Sequence, residues 1–540
     1  MSATTFHMSV QRDALGPLEP GVVSRKEAIA GSANNPQQHP GARMPEVSQG
    51  TSSPPKRSSV LRNTLLLVGV QFVGIPLSIF LNAIMGRKLG PGDFGLLNLA
   101  TNLCGFAFLF VDWGHNGVLP REIAQEHRRS GVLLGTSIVW RIGSSVVVSL
   151  CLSLLCWLLY PLSFMPLLGV VALQFLFASM SSAYQDAARG LERTEVTAVG
   201  RIGGQLLLTA CVLPVLFLGG GVMPVAIATS ASVLLVLPLI AGYTHKIGVG
   251  KPTFDRRELT HLTRGGWPFL VSSTAMVSLG FVDAISLSKL APPEVFGWNA
   301  AAQRLVGTLL VPASALIVSL YPTLARLVVE DLDQYKVTLR RSINGTGLLA
   351  IPLALSCALY SDLGIALYGK EGYAPAGQNL VVMSCMILLV YFSMPLGSAL
   401  MAAGRQVTWA VAQFACVVLR LVLNPLLIPW FQEHYGNGGL GVCVSTVLCE
   451  LGLIVVTLRM IPHGVINRGL AKVLGKGALA GAAMAAVALA MRGGVNPWIA
   501  APIAWIAYAA TLYLLGGVEM GQINRISAGI RNKIARKRAG

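Results

Sequence analysis

From Leu65 onward the chain alternates between long apolar runs and short polar breaks. Fourteen runs are read, near 64–84, 94–112, 133–159, 165–184, 199–218, 222–243, 267–288, 300–320, 343–368, 380–401, 407–428, 440–459, 470–491 and 497–517. Each approaches the ~20 residues that carry a helix across a bilayer. Lipid offers no partner for backbone N–H and C=O groups, so runs of this length predict helices. They are too long for the strands of a membrane barrel and lack strand alternation. The expected fold is all-α and polytopic, with about 14 transmembrane helices.

The polar breaks set the orientation. Even-numbered loops carry 20 Lys and Arg, among them Arg128, Arg189, Arg257, Arg341 and Lys472, while odd-numbered loops carry 5: Arg87, Lys88, Lys289, Lys370 and Arg492. Basic residues stay in the cytoplasm, so the bias predicts cytoplasmic even loops and two cytoplasmic termini. Residues 1–60 contain no apolar run and no signal-peptide core, and they read as a disordered cytoplasmic tail. At the other end, 521–540 is a basic tail that faces anionic lipid.

Composition narrows the function classes. Hydrophobic residues make up 54% and charged residues 12% of 540, about half the charge of a soluble domain, which excludes an ordinary soluble enzyme. The net charge of +18 is explained by cytoplasmic loops, with no aromatic-rich basic patch to bind nucleic acid. Nine cysteines lie in apolar stretches without a CxxC pair, and no HExxH occurs, so neither a metal nor a cofactor is expected. Gly475-Lys476 lacks the preceding glycine of a phosphate-binding loop. Loops between spans reach only about twenty residues, which leaves little room for an external acid–base site.

The chain also repeats itself. Lys88-Leu89-Gly90-Pro91 leads to Phe94-Gly95, Asn98 and Ala100; Lys289-Leu290-Ala291-Pro292 leads to Phe296-Gly297, Asn299 and Ala300. Pro120 and Pro322 follow at the same offset of 202 that separates the two Phe. Copies six spans apart share one orientation, which predicts two parallel, pseudo-symmetric six-helix lobes related by an axis along the membrane normal. The expected divisions are an N-terminal lobe at 61–244, a basic cytoplasmic linker at 245–265, a C-terminal lobe at 266–460 and two extra helices at 461–520.

Ionisable residues inside spans are costly and often functional. Arg141, Asp283, Arg304, Arg420 and Glu450 fall within runs, and Asp112 closes the second. Three arginines against few acids point to a cavity for an anion, since the guanidinium fork matches phosphate. Arg141, Arg304 and Arg420 are therefore the candidate substrate-binding residues. Asp283 and Glu450 are candidates for coupling or for ion pairs with a neighbouring Arg. Bland alternatives stand beside these: Arg141 reaches the cytoplasmic face by snorkelling, and Glu450 pairs with Arg420. Asn82, Asn98, Asn102, Gln174 and Gln413 are unranked candidates for sugar contacts.

Several short stretches resemble one family. Gly86-Arg87-Lys88-Leu89-Gly90-Pro91 with Phe94-Gly95 resembles the first-loop signature of polysaccharide repeat-unit (O-antigen/exopolysaccharide) flippases. These belong to the multidrug/oligosaccharidyl-lipid/polysaccharide exporter superfamily. Asp112-Trp113-Gly114 with Arg121-Glu122-Ile123-Ala124, Gly190-Leu191-Glu192-Arg193, Tyr321-Pro322-Thr323-Leu324-Ala325-Arg326 and Asn424-Pro425 are similar to later segments of that family in order and spacing. The resemblance spans about 60–530. It implies a non-enzymatic flippase of the bacterial cytoplasmic (inner) membrane that exports an undecaprenyl-pyrophosphate-linked oligosaccharide by alternating access. Its implied partners are that lipid-linked oligosaccharide, membrane lipids and other polysaccharide-assembly proteins. Arg304 lies in a matched stretch with Gly297 and Asn299-Ala300-Ala301; Arg141 and Arg420 are chosen by chemistry. The long N-terminal tail departs from the family core.

Other readings are a drug/cation antiporter of the same superfamily, a peptidoglycan-precursor flippase, a non-transporting membrane scaffold and a membrane polymerase. An antiporter for cations favours an acidic cavity, against the excess of Arg. Sugar composition, polymer type, coupling ion and oligomeric state stay open at this stage.

Overall fold

The computed structural model describes residues 57–462, 464–492 and 494–517, with side chains from Gly74 onward except at 272, 318, 319, 370 and 371. The tails expected at 1–60 and 521–540 lie outside it, except that the first helix already takes in 57–60. All regular elements among the described residues are helical. The chain runs through α1 (Arg57–Asp112), α2 (His115–Gln125), α3 (Ser130–Leu159), α4 (Met165–Gly190), α5 (Glu195–Phe217) and α6 (Val222–Lys246). It continues through α7 (Arg256–Leu290), α8 (Pro293–Leu309), α9 (Val311–Glu330), α10 (Leu332–Leu359), α11 (Ser361–Ala366), α12 (Lys370–Tyr373) and α13 (Ala376–Ala402). It ends with α14 (Gln406–Tyr435), α15 (Gly439–Met460), α16 (Arg468–Ala490) and α17 (Pro497–Leu514).

Twelve described segments are long and apolar enough to cross a membrane, and up to thirteen with α7 taken as one bent span. The count therefore falls short of the fourteen read from the sequence, because two runs are joined in one segment and the bent α7 is counted apart from the twelve. The segment Gly74–Gln125 takes in two apolar runs as one. They are separated at Gly90, whose φ of 77° and ψ of 168° suit a residue without Cβ, followed by a proline that cannot donate to the ladder. The run at 300–320 is split between α8 and α9 around Leu310 and Pro312.

Helix ends follow local chemistry. Asp255 caps α7 by accepting from the Arg257 amide at 2.7 Å, and Asp331 caps α10 by accepting from Asp333 and Gln334. Asn467 and Asn496 do the same for α16 and α17. Inside α7, the stretches Arg256–Val271 and Ser273–Leu290 meet at 54°. The first stretch packs toward α2 and α3, and α7 also packs along α14 and α1.

Packing falls into three neighbourhoods. Helices α4 and α5 lie on α6, with α2 and α3 on α4; α13 lies on α8, α9, α10 and α15, with α14 on α15. The third is the α16–α17 pair, which rests on α10. There Gly477 and Gly481, one turn apart, leave room for Leu348 and Ile351: an added Cβ would come within 2.7 Å of each. Small residues at this spacing let membrane helices approach closely. Tyr508 donates to the Leu348 carbonyl at 2.7 Å, and Trp505 to Ser356 at 2.9 Å.

The outer surface is apolar. On α3, Val146, Leu150, Leu154 and Leu158 repeat every four residues and are each more than half exposed. Such a stripe suits a helix facing lipid. The chain is a multi-pass membrane protein of helical construction.

Candidate functional site

The site is a polar cavity of about 450 Å³ between α1, α7 and α8. Helix α1 supplies Ser78, Asn98, Thr101 and Asn102; α7 supplies Asp283; α8 supplies Gln303, Arg304 and Thr308. Local geometry arranges these groups. Asn98, Thr101 and Asn102 each donate to a carbonyl one turn back in their own helix, at 2.7–2.8 Å. The Thr101 hydroxyl proton and one N–H of each amide are thereby used, and their oxygens are left to accept from other groups. Asn98 Oδ1 accepts from the Arg304 guanidinium at 3.2 Å. Among the described residues Arg304 forms no ion pair, and its side chain is exposed to the cavity.

Asp283 reaches the same cavity but is already neutralised. Arg420 Nη1 donates to one of its oxygens, and Asn424 Nδ2 donates to the other at 3.0 Å. Ser445 then donates to Asn424 Oδ1 at 2.6 Å. Asp283 is 4% and Arg420 6% exposed, so the pair forms a clip between α7 and α14. Arg420 itself does not line the cavity. Glu450 accepts from Ser393 at 2.9 Å and makes no ion pair with Arg420.

Arg141 also lies away from the cavity, wholly buried in the first half of the chain. It donates to Asp112 at 2.5 Å, to Asp186 at 3.2 Å, to the Ser179 carbonyl at 2.5 Å and to Ser182. Arg189 pairs with the second oxygen of Asp186. The set joins the ends of α1 and α4 to the body of α3 with charges matched, which is how buried ions persist. Of the three arginines singled out by the sequence, Arg304 alone is at the cavity. Gln303 and Thr308 were missed there; Asn98 and Asn102 were among the unranked amides.

The repeated motifs meet in space. Phe94-Gly95 on α1 faces Phe296-Gly297 on α8. A Cβ on Gly95 would strike the Pro293 carbonyl oxygen, and one on Gly297 would strike that of Pro91. Two contacts flank this crossing on the sparsely charged face. On one side Tyr373 donates to the Gly86 carbonyl at 3.1 Å and Arg87 to that of Ala366 at 3.0 Å. On the other, Ser288 bonds Tyr160 at 2.7 Å, and Lys289 donates to the Leu159 carbonyl while lying 3.8 Å over the Tyr160 ring. The two contacts exchange roles: the end of the first span meets the segment after α10, and the end of α7 meets the end of α3. Phe94, Tyr368 and Tyr373 fill the space between, with ring centroids 5.5–6.4 Å apart.

The comparisons agree with this architecture. The lipid II flippase MurJ in an inward closed conformation superposes with a TM-score of 0.63 at 14% identity, over 83% of this chain and 98% of MurJ. An inward-facing multidrug resistance MATE family transporter of the MOP superfamily gives 0.54 at 12% identity, over 73% and 97%. A MOP superfamily transporter from Pyrococcus furiosus, described as having a binding pocket of reverse polarity, gives 0.53 at 15%, over 73% and 94%. At these identities the likeness is one of fold. No curated protein matches the sequence. The family model described as polysaccharide biosynthesis protein matches residues 60–328, a stretch that holds both copies of the repeat and the cavity wall from Ser78 to Val311. The chain belongs to the polysaccharide biosynthesis protein family, on the polytopic helical fold shared by MurJ and the MATE transporters.

Proposed function

We propose that this protein is a flippase that moves an undecaprenyl-pyrophosphate-linked oligosaccharide from the inner to the outer leaflet of a bacterial cytoplasmic membrane. Two six-helix lobes, 61–244 and 266–460, rock about the central cavity, with the basic loops and both termini in the cytoplasm. The observation that carries this reading is the charge of the cavity. Arg304 faces it without a carboxylate partner, whereas the acid that lines it, Asp283, is held by Arg420. A cationic site with amide and hydroxyl neighbours suits a phosphate followed by sugars. A cation exporter needs the opposite arrangement, an acid free to receive its substrate. In this reading Arg304 contacts the pyrophosphate, while Arg141 and Arg420 brace helices.

The test uses a strain lacking the protein. Lipid-linked saccharides are extracted and assigned to a leaflet, and surface polymer is measured alongside. Repeat units stranded in the inner leaflet with loss of polymer are expected. Normal polymer and normal intermediates, in a strain with no second flippase, refute the reading. The MurJ likeness favours a peptidoglycan precursor as second reading. Rescue of a strain depleted of its own lipid II flippase would decide for it.

A further inference from the structure

A second hollow lies away from the central cavity, between α9 and α10. Its volume is about 420 Å³, and its lining includes Leu316, Leu320, Thr323, Thr338, Arg341 and Ser342. The lining is mostly aliphatic on α9 and mostly polar on α10, where Gly345 and Thr346 continue it below Ser342. Helix α10 starts at Leu332 on the basic face, so Arg341 stands about 13 Å into it at 1.5 Å per residue. Thr338 and Ser342 lie one turn or less from that level. On α9, Thr323 lies ~10 Å from the end at Glu330, whereas Leu320 and Leu316 lie about 15 and 21 Å in. The hollow thus has a cationic, hydroxylated rim at interfacial depth, and further in an aliphatic α9 wall of Leu320, Ile317 and Leu316 that faces Gly345 and Thr346 of α10.

The rim is also uncommitted. Arg340, one residue earlier, turns the other way and donates to the Gly464 and Val465 carbonyls. Arg341 is exposed and takes part in no ion pair or side-chain hydrogen bond among the described residues; the same holds for the Thr323 and Thr338 hydroxyls. No acid lines the hollow. Leu316, at the inner end of the wall, is 45% exposed, so the wall opens outward there.

We infer that this hollow binds the phosphodiester headgroup of an anionic phospholipid from the leaflet on the basic face, with an acyl chain laid along Leu320 and Leu316. Arg341 supplies the charge, and Thr323 and Thr338 supply donors. A soluble phosphate would leave the aliphatic wall wet, and a zwitterionic lipid would set its own cation beside Arg341. The site is separate from the cavity that receives the transported lipid.

The test is native mass spectrometry of the full-length protein, released from micelles containing phosphatidylglycerol, phosphatidylcholine or undecaprenyl phosphate. Wild type retains one more phosphatidylglycerol than Arg341→Gln, whose apparent affinity for it falls about tenfold, the loss of one charge-assisted contact. Arg341→Lys keeps part of that affinity. Arg326→Gln, which removes an exposed ion pair with Glu330, keeps all of it. Thr338→Ala weakens retention in the same direction and serves if Arg341→Gln does not fold. Equal retention by wild type and both rim variants overturns the inference. So does equal retention of phosphatidylcholine, displacement by millimolar inorganic phosphate, or preference for undecaprenyl phosphate, which would assign the hollow to the carrier lipid.

Discussion

Adding one methyl group at the crossing of α1 and α8 should open the sparsely charged face. In Gly297→Ala the new Cβ would overlap the Pro91 carbonyl oxygen and stand 2.7 Å from its carbon and 3.0 Å from the Pro91 Cα. Ordinary contact begins near 3.4 Å, and the obstacle is backbone, so the two helices must part by roughly 1 Å. Overpacking of this kind costs about 1–3 kcal/mol. Alanine also strengthens a helix by about 0.5–1 kcal/mol over glycine, but that gain is the same whether the helices touch or part. The clash exists only while they touch. The equilibrium therefore shifts toward the parted state by ~5- to 150-fold. Gly307→Ala on the same helix is the control: nothing lies within 4 Å of its Cβ, so it carries the helix gain without the clash. The assay is labelling of a cysteine at Asn98, in a background lacking the nine native cysteines, by a membrane-impermeant maleimide from outside. Faster labelling in Gly297→Ala and unchanged labelling in Gly307→Ala are expected. Equal rates in folded protein would refute the claim that this crossing seals the face.

Three further outcomes follow from the buried charges. Asp283→Asn leaves Arg420 without its counter-ion and should cost about 3–5 kcal/mol, read as a fall in Tm in lipid discs, while Asp283→Leu combined with Arg420→Met recovers most of it. Asp186→Asn should destabilise similarly, because Asp186 pairs with both Arg141 and Arg189; an unchanged Tm would remove the bracing role. Arg304→Gln should leave Tm nearly unaltered and abolish polymer export at normal protein level, with Arg304→Lys retaining part; full export by Arg304→Gln would discard the phosphate contact.

Much of this was legible in one sequence because lipid restricts the choices. Run length and loop charge marked the helices, and Gly90-Pro91 marked the first break by its own chemistry, whereas the break between α8 and α9 falls inside a single apolar run. The repeat marked Gly95 and Gly297 as equivalent, but not that they touch, since a motif carries no information about its partner across an interface. The arginines were harder for the same reason. Arg141 and Arg420 look alike as isolated cations in apolar runs. What separates them from Arg304 is the acid each meets, and Asp186 and Asp283 are 45 and 137 residues away. Asp186 sits in a polar helix end where acids are ordinary, so nothing singled it out. Glu450 lies near Arg420 in span order, yet its partner is Ser393 on α13. Gln303 was passed over because its amide has no charge to make it conspicuous in a span.

The pairing of the buried charges around Arg141 and Arg420 bears on how the membrane voltage acts. A potential does work only on net charge, about 2.3 kcal/mol per elementary charge per 100 mV. Arg141, Arg189, Asp112 and Asp186 cancel as a set, and Arg420 cancels Asp283. These groups ride with their helices unseen by the field. Arg304 does not cancel: the empty site is positive, and under the proposed function a bound pyrophosphate turns it negative. An inside-negative voltage then pushes the loaded site outward and draws the empty site back. One field would favour both halves of the cycle, without a separate ion to reset the protein.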